Sequence, residues 1–359
     1  MRSQPAPWSR EDISPFLSEQ VEYLCLIPPS RYQERGILTI EKSSNKYNMD
    51  TTPIEQYGNI FYKRDDLFAP FGVNHVNGGK VRQAVQLFDE IHDDIRDNHN
   101  GGVVTASSVH SPQSAIIAKV AQEHGFKCVI AVGGTKKETL YNHHMMRLSK
   151  FYGADIRIVA GHGMTTAIDA GAKKKIIPDT GYKLIKFAIS LESNPEAIFD
   201  GVTDQVMNLP DELDNLIVPV GSGIQFAGIV RGIKKYNKKI KRIVGVAFCD
   251  RTKSVNKHLD RFKYENFPED VIEFQDYEMI LTKHAYSKSV WENVGETFVL
   301  DDIYEGKAHR WMTENIDTEK EKTCFWVVGR RFNPIEVDDL IKTERMNRLM
   351  TTNSPDSTV

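Results

Sequence analysis

Between Gly102 and Phe248, short apolar runs alternate with stretches of helical spacing, and this alternation leaves few folds open. Gly102-Val103-Val104-Thr105-Ala106, Cys128–Val132, Asp155–Val159, Leu216–Val220 and Ile243–Phe248 read as strands. Between them lie Ala115–His124, stopped by Gly125, Glu138–Tyr152, stopped by Gly153, and Gln225–Tyr236. Strands joined by helices run parallel, so the chain is expected to be α/β, with ligands at the carboxyl ends of its strands. Outside this stretch the pattern predicts strands at Ile60–Tyr62, Tyr182–Ile189 and Thr323–Val328. Helices are predicted from Lys80 to about Arg96 and over Ala197–Asn208.

At 359 residues the chain can hold two domains, or one large body with a smaller lobe. A net charge of −3 argues against bulk electrostatic capture of nucleic acid, though a local basic face stays open. The cysteines Cys25, Cys128, Cys249 and Cys324 have no paired spacing, so neither a zinc site nor a disulfide framework is expected. Cys128 and Cys324 lie in apolar runs and read as buried thiols. No apolar run has the length of a membrane span, and Met1-Arg2-Ser3-Gln4-Pro5 has no signal-peptide core, so a cytoplasmic location is expected. Residues 1–50, with Pro5, Pro7, Pro15, Pro28 and Pro29, read as an extension wrapping the body, and 351–359 as a flexible tail.

Four stretches carry candidate chemistry. In Val76-Asn77-Gly78-Gly79-Lys80-Val81-Arg82-Gln83, two glycines lead into the first turn of a helix and allow a close approach of backbone and ligand. A lysine there suits covalent capture of a carbonyl once its amine sheds a proton, helped by burial or by a cationic neighbour such as Arg82. A solvated lysine after a turn fits the same letters. In Val220-Gly221-Ser222-Gly223-Ile224-Gln225, a strand, a glycine-flanked serine and a helix start make an anion cradle. It lacks a Walker lysine and dinucleotide glycine spacing, so a small phosphorylated cofactor suits it better than a nucleotide.

The third stretch, Ser107-Ser108-Val109-His110-Ser111-Pro112-Gln113-Ser114, again joins a strand to a helix. Its hydroxyls suit a substrate carboxylate, and Ser111 or Ser114 equally suits helix capping with Pro112 at the first helical position. The fourth is Tyr304-Glu305-Gly306-Lys307, where a glutamate could hold a pyridine nitrogen and a tyrosine could relay protons. An exposed turn reads equally well.

Taken together and in order, these pieces resemble the fold type II pyridoxal-phosphate enzymes of the tryptophan synthase β superfamily. The nearest branch is that of aminocyclopropane-carboxylate deaminase and D-cysteine desulfhydrase. The likeness is carried by Asn59-Ile60-Phe61-Tyr62-Lys63-Arg64-Asp65-Asp66, Gly78-Gly79-Lys80 with Arg82, Val220–Gly228 and Tyr304-Glu305-Gly306-Lys307-Ala308. It implies two lobes, each a mostly parallel sheet flanked by helices. A large cofactor-binding domain would be formed by 51–99 and 191–350, and a small domain by 100–190. It implies pyridoxal 5'-phosphate as cofactor, Lys80 as the Schiff-base lysine, and Gly221, Ser222, Gly223, Ile224 and Gln225 as the phosphate loop. Glu305 would stand at the pyridine nitrogen, Tyr304 on the substrate side, and the chain would pair as a homodimer.

One motif departs. The deaminase branch carries Ser-Asn after the strand, whereas here Ser111-Pro112-Gln113 stands, and Pro112 has no side-chain donor. Gln113 or Ser108 is then expected to replace the asparagine, with Ser108, His110, Ser111 and Gln113 facing the substrate. With Gly133-Gly134-Thr135-Lys136-Lys137-Glu138-Thr139 and Asp200-Gly201-Val202-Thr203-Asp204-Gln205, this version is similar to bacteriophage members implicated in thymidine hypermodification. The resemblance implies a lyase that removes the α-carboxylate of an amino acid attached to a modified thymine in phage DNA. The alternative is a deaminase or β-lyase for a small free amino acid. A DNA-borne substrate needs a phosphate-binding surface, and Arg231–Arg242, with seven basic residues in twelve, is the candidate, against its reading as a solvated helix face.

Overall fold

The computed structural model describes residues 47, 49–189, 197–262, 274–329 and 332–352. Nearly all of the expected N-terminal extension, Cys25 and residues 353–359 of the expected tail lie outside the described residues. In chain order the strands are β1 (Ile54–Tyr57), β2 (Ile60–Arg64), β3 (Gly102–Ala106), β4 (Lys127–Gly133), β5 (Asp155–Ala160) and β6 (Lys183–Ile185). They continue with β7 (Glu212–Val220), β8 (Lys239–Ala247), β9 (Glu278–Leu281), β10 (Asn293–Val294), β11 (Phe298–Val299) and β12 (Thr323–Val327).

Two sheets organise the protein. The larger has the order β1-β2-β12-β7-β8-β9 and is parallel throughout except for the β1–β2 hairpin, which turns at Gly58 with φ 58°. The smaller, β5-β4-β3-β6, is wholly parallel. The protein is therefore α/β with two mostly parallel sheets.

Both faces of each sheet are covered, which is why these strands read as unbroken apolar runs. Along β7, Leu216, Val218 and Val220 enter one core cluster while Ile217 enters the opposite one. In β12, Cys324 and Trp326 point one way and Phe325 and Val327 the other. The small sheet repeats the pattern, with Ile130 and Val132 on one side of β4 and Val129 and Ala131 on the other. Cys128 and Cys324 are buried free thiols, as their apolar surroundings require. Burial raises both, Cys324 to about 12.

Helix Gly79–Asn98, which begins at Lys80's doorstep, packs against helices Gln113–Glu123 and Ala197–Thr203 and so touches both halves of the chain. Several elements differ from the sequence expectation. The helix expected over Glu138–Tyr152 is two, Lys137–Asn142 and His144–Phe151, because His143 adopts an extended backbone (φ −73°, ψ 124°). The strand expected over Tyr182–Ile189 stops at Ile185, and Ala188 and Ile189 turn with φ of 65° and 55°. Helix Pro334–Thr352 enters the expected tail by two residues. Its Val337, Leu340 and Ile341 share a cluster with Met145 and Leu148, and Arg147 pairs with Asp338. We therefore propose that the small domain takes in this helix as well as 100–190. No helix among the described residues is long and apolar enough to cross a membrane.

Candidate active site

The loops at the carboxyl ends of β3, β7 and β12 converge on one cleft. Lys80, Gly221, Ser222, Gly223, Gln225, Asp301 and Tyr304 line it, with Pro112 and Ile116 from the small-sheet side. Two of the sequence-derived stretches supply opposing parts. The glycines before Lys80 are required by contact: a Cβ on Gly78, whose φ is 89°, would lie 2.5 Å from Gly329 Cα. A Cβ on Gly79 would lie 2.4 Å from Gln225 Nε2, so the starts of the Lys80 helix and of helix Ile224–Lys235 abut.

Lys80 keeps part of its surface open to the cleft, yet its amine is desolvated. Burial lowers its pKa to about 8, and Asp301 works in the opposite direction. Arg82, expected as the cationic neighbour, is instead committed to Asp65, with Nη2 2.7 Å from Oδ1 and both side chains 1% exposed. Desolvation, not a neighbouring cation, depresses Lys80.

The anion cradle is formed as expected from sequence order. Gly223 caps helix Ile224–Lys235 in the left-handed region (φ 94°), which turns the chain from β7 into the helix. Ser254 Oγ donates to the Ser222 carbonyl at 2.9 Å and fixes the turn. Gln225 Nε2 is buried in the cleft wall with no hydrogen-bond partner among the described residues. A buried orphan donor beside a helix N-terminus is a place for an anion.

The Tyr304 stretch divides its work. Tyr304 lines the cleft, and its hydroxyl is hydrogen-bonded to that of Tyr286 at 3.0 Å. Glu305 does not line the cleft: it is 1% exposed, and its two oxygens accept from the amides of Asp301 (2.9 Å) and Gly329 (3.0 Å). Burial, then the Asp301 charge, raises its pKa well above the usual carboxylate range. Asp301, whose Oδ1 accepts from the amides of Ile303 (3.1 Å) and Tyr304 (2.6 Å), is the carboxylate that faces Lys80's cleft. Neither Asp301 nor Tyr286 stands out in the sequence. Tyr286 lies in an irregular stretch without periodicity, and Asp301 differs in no local way from any aspartate before a helix.

The Ser107–Ser114 loop departs most from expectation. Gln113 is 2% exposed and its amide is bonded within the fold: Nε2 donates to the Thr105 hydroxyl (2.9 Å) and Lys186 O (3.0 Å), and Oε1 accepts from Ala188 N (2.9 Å). It holds the crossover after β6 and is not among the residues lining the cleft. Ser111 Oγ accepts from the Gln113 amide at 3.3 Å, the local bond its capping reading allows, and Ser108 Oγ accepts from the His110 amide at 3.3 Å within the loop. His110 points to His143, Nδ1 to Nε2 3.1 Å, and not into the cleft lining. The loop contributes Pro112 to the cleft wall.

Six of the seven basic residues of the 231–242 run stand in ion pairs, and Lys234 is exposed. Arg231 pairs with Asp200 (2.7 Å), Lys235 with Asp204 (2.6 Å), Lys238 with Asp211 (2.8 Å), Lys239 with Glu212 (3.2 Å), Lys241 with Asp214 (2.6 Å) and Arg242 with Glu278 (2.9 Å). It is a solvated face laced by ion pairs.

A desolvated lysine, a glycine cradle at a helix N-terminus and an orphan amide donor in one cleft fit pyridoxal phosphate. A family model described as pyridoxal-phosphate dependent enzyme matches residues 49–277. The chain belongs to that family. It is 31% identical over 209 residues to the O-seryl-dTMP PLP-dependent decarboxylase of Salmonella phage ViI, covering 52% of this chain and 47% of that protein. The enzyme thus spans about half the length of that relative. It is 24% identical over 283 residues to the 1-aminocyclopropane-1-carboxylate deaminase of Cyberlindnera saturnus, covering 70% of this chain and 78% of that one. Among solved structures, an ACC deaminase homologue superimposes with a TM-score of 0.62 at 21% identity, over 82% of this chain and 93% of that one. The processed form of threonine deaminase isoform 2 from Solanum lycopersicum does so with 0.52 at 14% identity, over 95% and 96%. These likenesses establish the fold type II architecture.

Proposed function

We propose that the enzyme is a lyase that removes the α-carboxylate of an amino acid attached to a thymine in phage DNA. The observation that carries this reading is the apolar wall that Pro112 and Ile116 present to Lys80's cleft, where no polar side chain of the 107–114 loop enters. A carboxylate that leaves as carbon dioxide loses its charge, so an apolar wall opposes the ground state more than the charge-dispersed transition state. The 31% identity to a phage decarboxylase supports the same choice.

Bound in the cleft, pyridoxal phosphate supplies the electron sink for the pair released when a Cα bond breaks. The 221–225 cradle would hold its phosphate, with the Gln225 amide as an added donor. Lys80 would hold it covalently, and its amine would deliver the proton that takes the place of the lost carboxylate at Cα. Tyr304 would hold a proton on the substrate side through its hydroxyl. Asp301 lies nearer the cleft than Glu305, and its charge would favour a protonated ring nitrogen, with Glu305 holding the Asp301 turn.

The test is incubation of purified enzyme and cofactor with an oligonucleotide bearing O-seryl thymidine, followed by mass spectrometry. Loss of one carbon dioxide from the nucleotide supports the reading, and an unchanged nucleotide with an active cofactor band rejects it. The relative from Cyberlindnera saturnus favours a second reading, deamination or β-elimination on a small free amino acid. Ammonia and a keto acid from such substrates would establish it.

A further inference from the structure

Lys307 belongs to the Tyr304–Lys307 stretch but not to the cleft lining. It is 2% exposed, and its amine donates to the carbonyl oxygens of Ala285 and Tyr286, both at 2.9 Å. The position is unfavourable for a lysine. It lies in the first turn of helix Glu305–Asn315, where unsatisfied amides make the helix end positive and disfavour a cation. Helix stability does not ask for this residue; the two carbonyls do.

Those carbonyls belong to the irregular stretch between β9 and β10, which has no ladder of its own. At its start the Thr282 amide donates to Ala247 O at 2.8 Å, and at its end the Val290 amide donates to Asp302 O at 2.7 Å. There Val290 O lies so near the helix that a Cβ on Gly306 would stand 2.0 Å from it. Midway, Lys307 grips the chain, and what the stretch presents at that point is Tyr286. The Tyr286 ring packs on Phe248, with centroids 4.6 Å apart, and meets the His110 ring edge-on at 6.3 Å. Its hydroxyl meets that of Tyr304 at 3.0 Å.

We propose that Lys307 is a positioning residue: by binding the carbonyls of Ala285 and Tyr286 it fixes the Tyr286 hydroxyl against Tyr304, and so sets how the Tyr304 O–H is turned in the cleft. A phenol has one proton and two lone pairs, and its partner decides which of these the cleft receives. Tyr304 and Lys307 thus leave one helical turn in two directions and meet again through Tyr286. The inference rests on the reading of Tyr304 as an acid–base group given above.

The test begins with the chain free of cofactor. A fluorotyrosine label in place of Tyr286 gives a fluorine resonance that shifts on Tyr304→Phe when the hydroxyls are bonded. With Lys307→Met, the resonance is expected to move and to lose its response to Tyr304→Phe. In turnover, Lys307→Met is expected to lower kcat about 10²-fold, the scale of a small misplacement, with KM little changed. That loss should vanish in a Tyr286→Phe background, because both changes act through one hydroxyl. A resonance that keeps its position and response in Lys307→Met, or losses that add in full, would overturn the proposal. Should Lys307→Met fail to fold, Lys307→Gln, which also cannot reach both carbonyls, carries the same readings. An enzyme inactive on O-seryl thymidine would sink the functional reading alone, since the fluorine measurement needs no substrate.

Discussion

Arg82 and Asp65 form an ion pair with 2.7 Å between Nη2 and Oδ1, and each is only 1% exposed. The Arg82 guanidinium carbon also lies 4.5 Å from the centre of the Phe68 ring, and Asp65 Oδ2 accepts from the Trp326 indole at 3.3 Å. The pair therefore ties the Lys80 helix to the ends of β2 and β12. Removing one partner strands the other charge in the core, so Arg82→Met should lower the unfolding free energy by about 3–5 kcal/mol. Arg82→Met with Asp65→Leu should lose much less. Urea titration of both decides it, and equal losses would mean that packing, not charge, is at stake.

A second prediction follows from the Lys80 amine at about 8. The neutral amine is the nucleophile, so the rate of covalent attachment of pyridoxal phosphate should rise with pH and level off above about 8, not near the ordinary 10.5. The sign for stability follows. Between those two values the folded chain binds fewer protons than the unfolded one, so the Lys80 contribution to stability grows as pH rises through that window. Lys80→Met should therefore be more stable than the wild type at neutral pH, with the difference shrinking toward pH 10.5. Stopped-flow absorbance and pH-dependent thermal melts test the two halves separately.

Much of this was legible in the sequence because βαβ units announce themselves locally. Gly78-Gly79-Lys80 and Gly221-Ser222-Gly223 each join a strand or loop to a helix, and such junctions fall at the carboxyl ends of parallel strands. What was not legible depends on distant partners. Gln113 has the right chemistry for a ligand, but its amide is spent on Lys186 and Ala188, more than seventy residues away. Asp301 takes its place in the cleft beside a helix whose Glu305 accepts from the distant Gly329 amide. Arg82 read as a partner of Lys80 because it is near in sequence, and Asp65 claims it through the fold.

The ion-paired basic run makes a third prediction. Exposed pairs of this kind add little to stability and leave little charge for phosphates. Arg231→Ala and Lys235→Ala, whose partners are Asp200 and Asp204, should leave both activity on the proposed DNA-linked substrate and its salt dependence unchanged. A salt slope that becomes shallower in these variants would reinstate the run as a nucleic-acid surface.

The glycines of the cleft should respond unequally to an added methyl. On Gly221 the Cβ would lie 3.3 Å from Tyr304 Cε1, a ring edge that can give by a few tenths of an ångström. On Gly78 it would lie 2.5 Å from Gly329 Cα and 2.6 Å from Val328 O, backbone atoms that cannot give, and the φ of 89° already disfavours any side chain. Gly221→Ala should therefore fold with a loss under about 1 kcal/mol while displacing Tyr304 enough to cut kcat by about 10- to 100-fold. Gly78→Ala should lose at least about 2 kcal/mol, because strain and overpacking add. Thermal melts beside turnover on the proposed substrate, O-seryl thymidine, separate the two. Wild-type kcat in Gly221→Ala would show that the Tyr304 ring position does not govern the chemistry, and a fully stable Gly78→Ala would show that the approach of Gly78 to Gly329 is not fixed by packing.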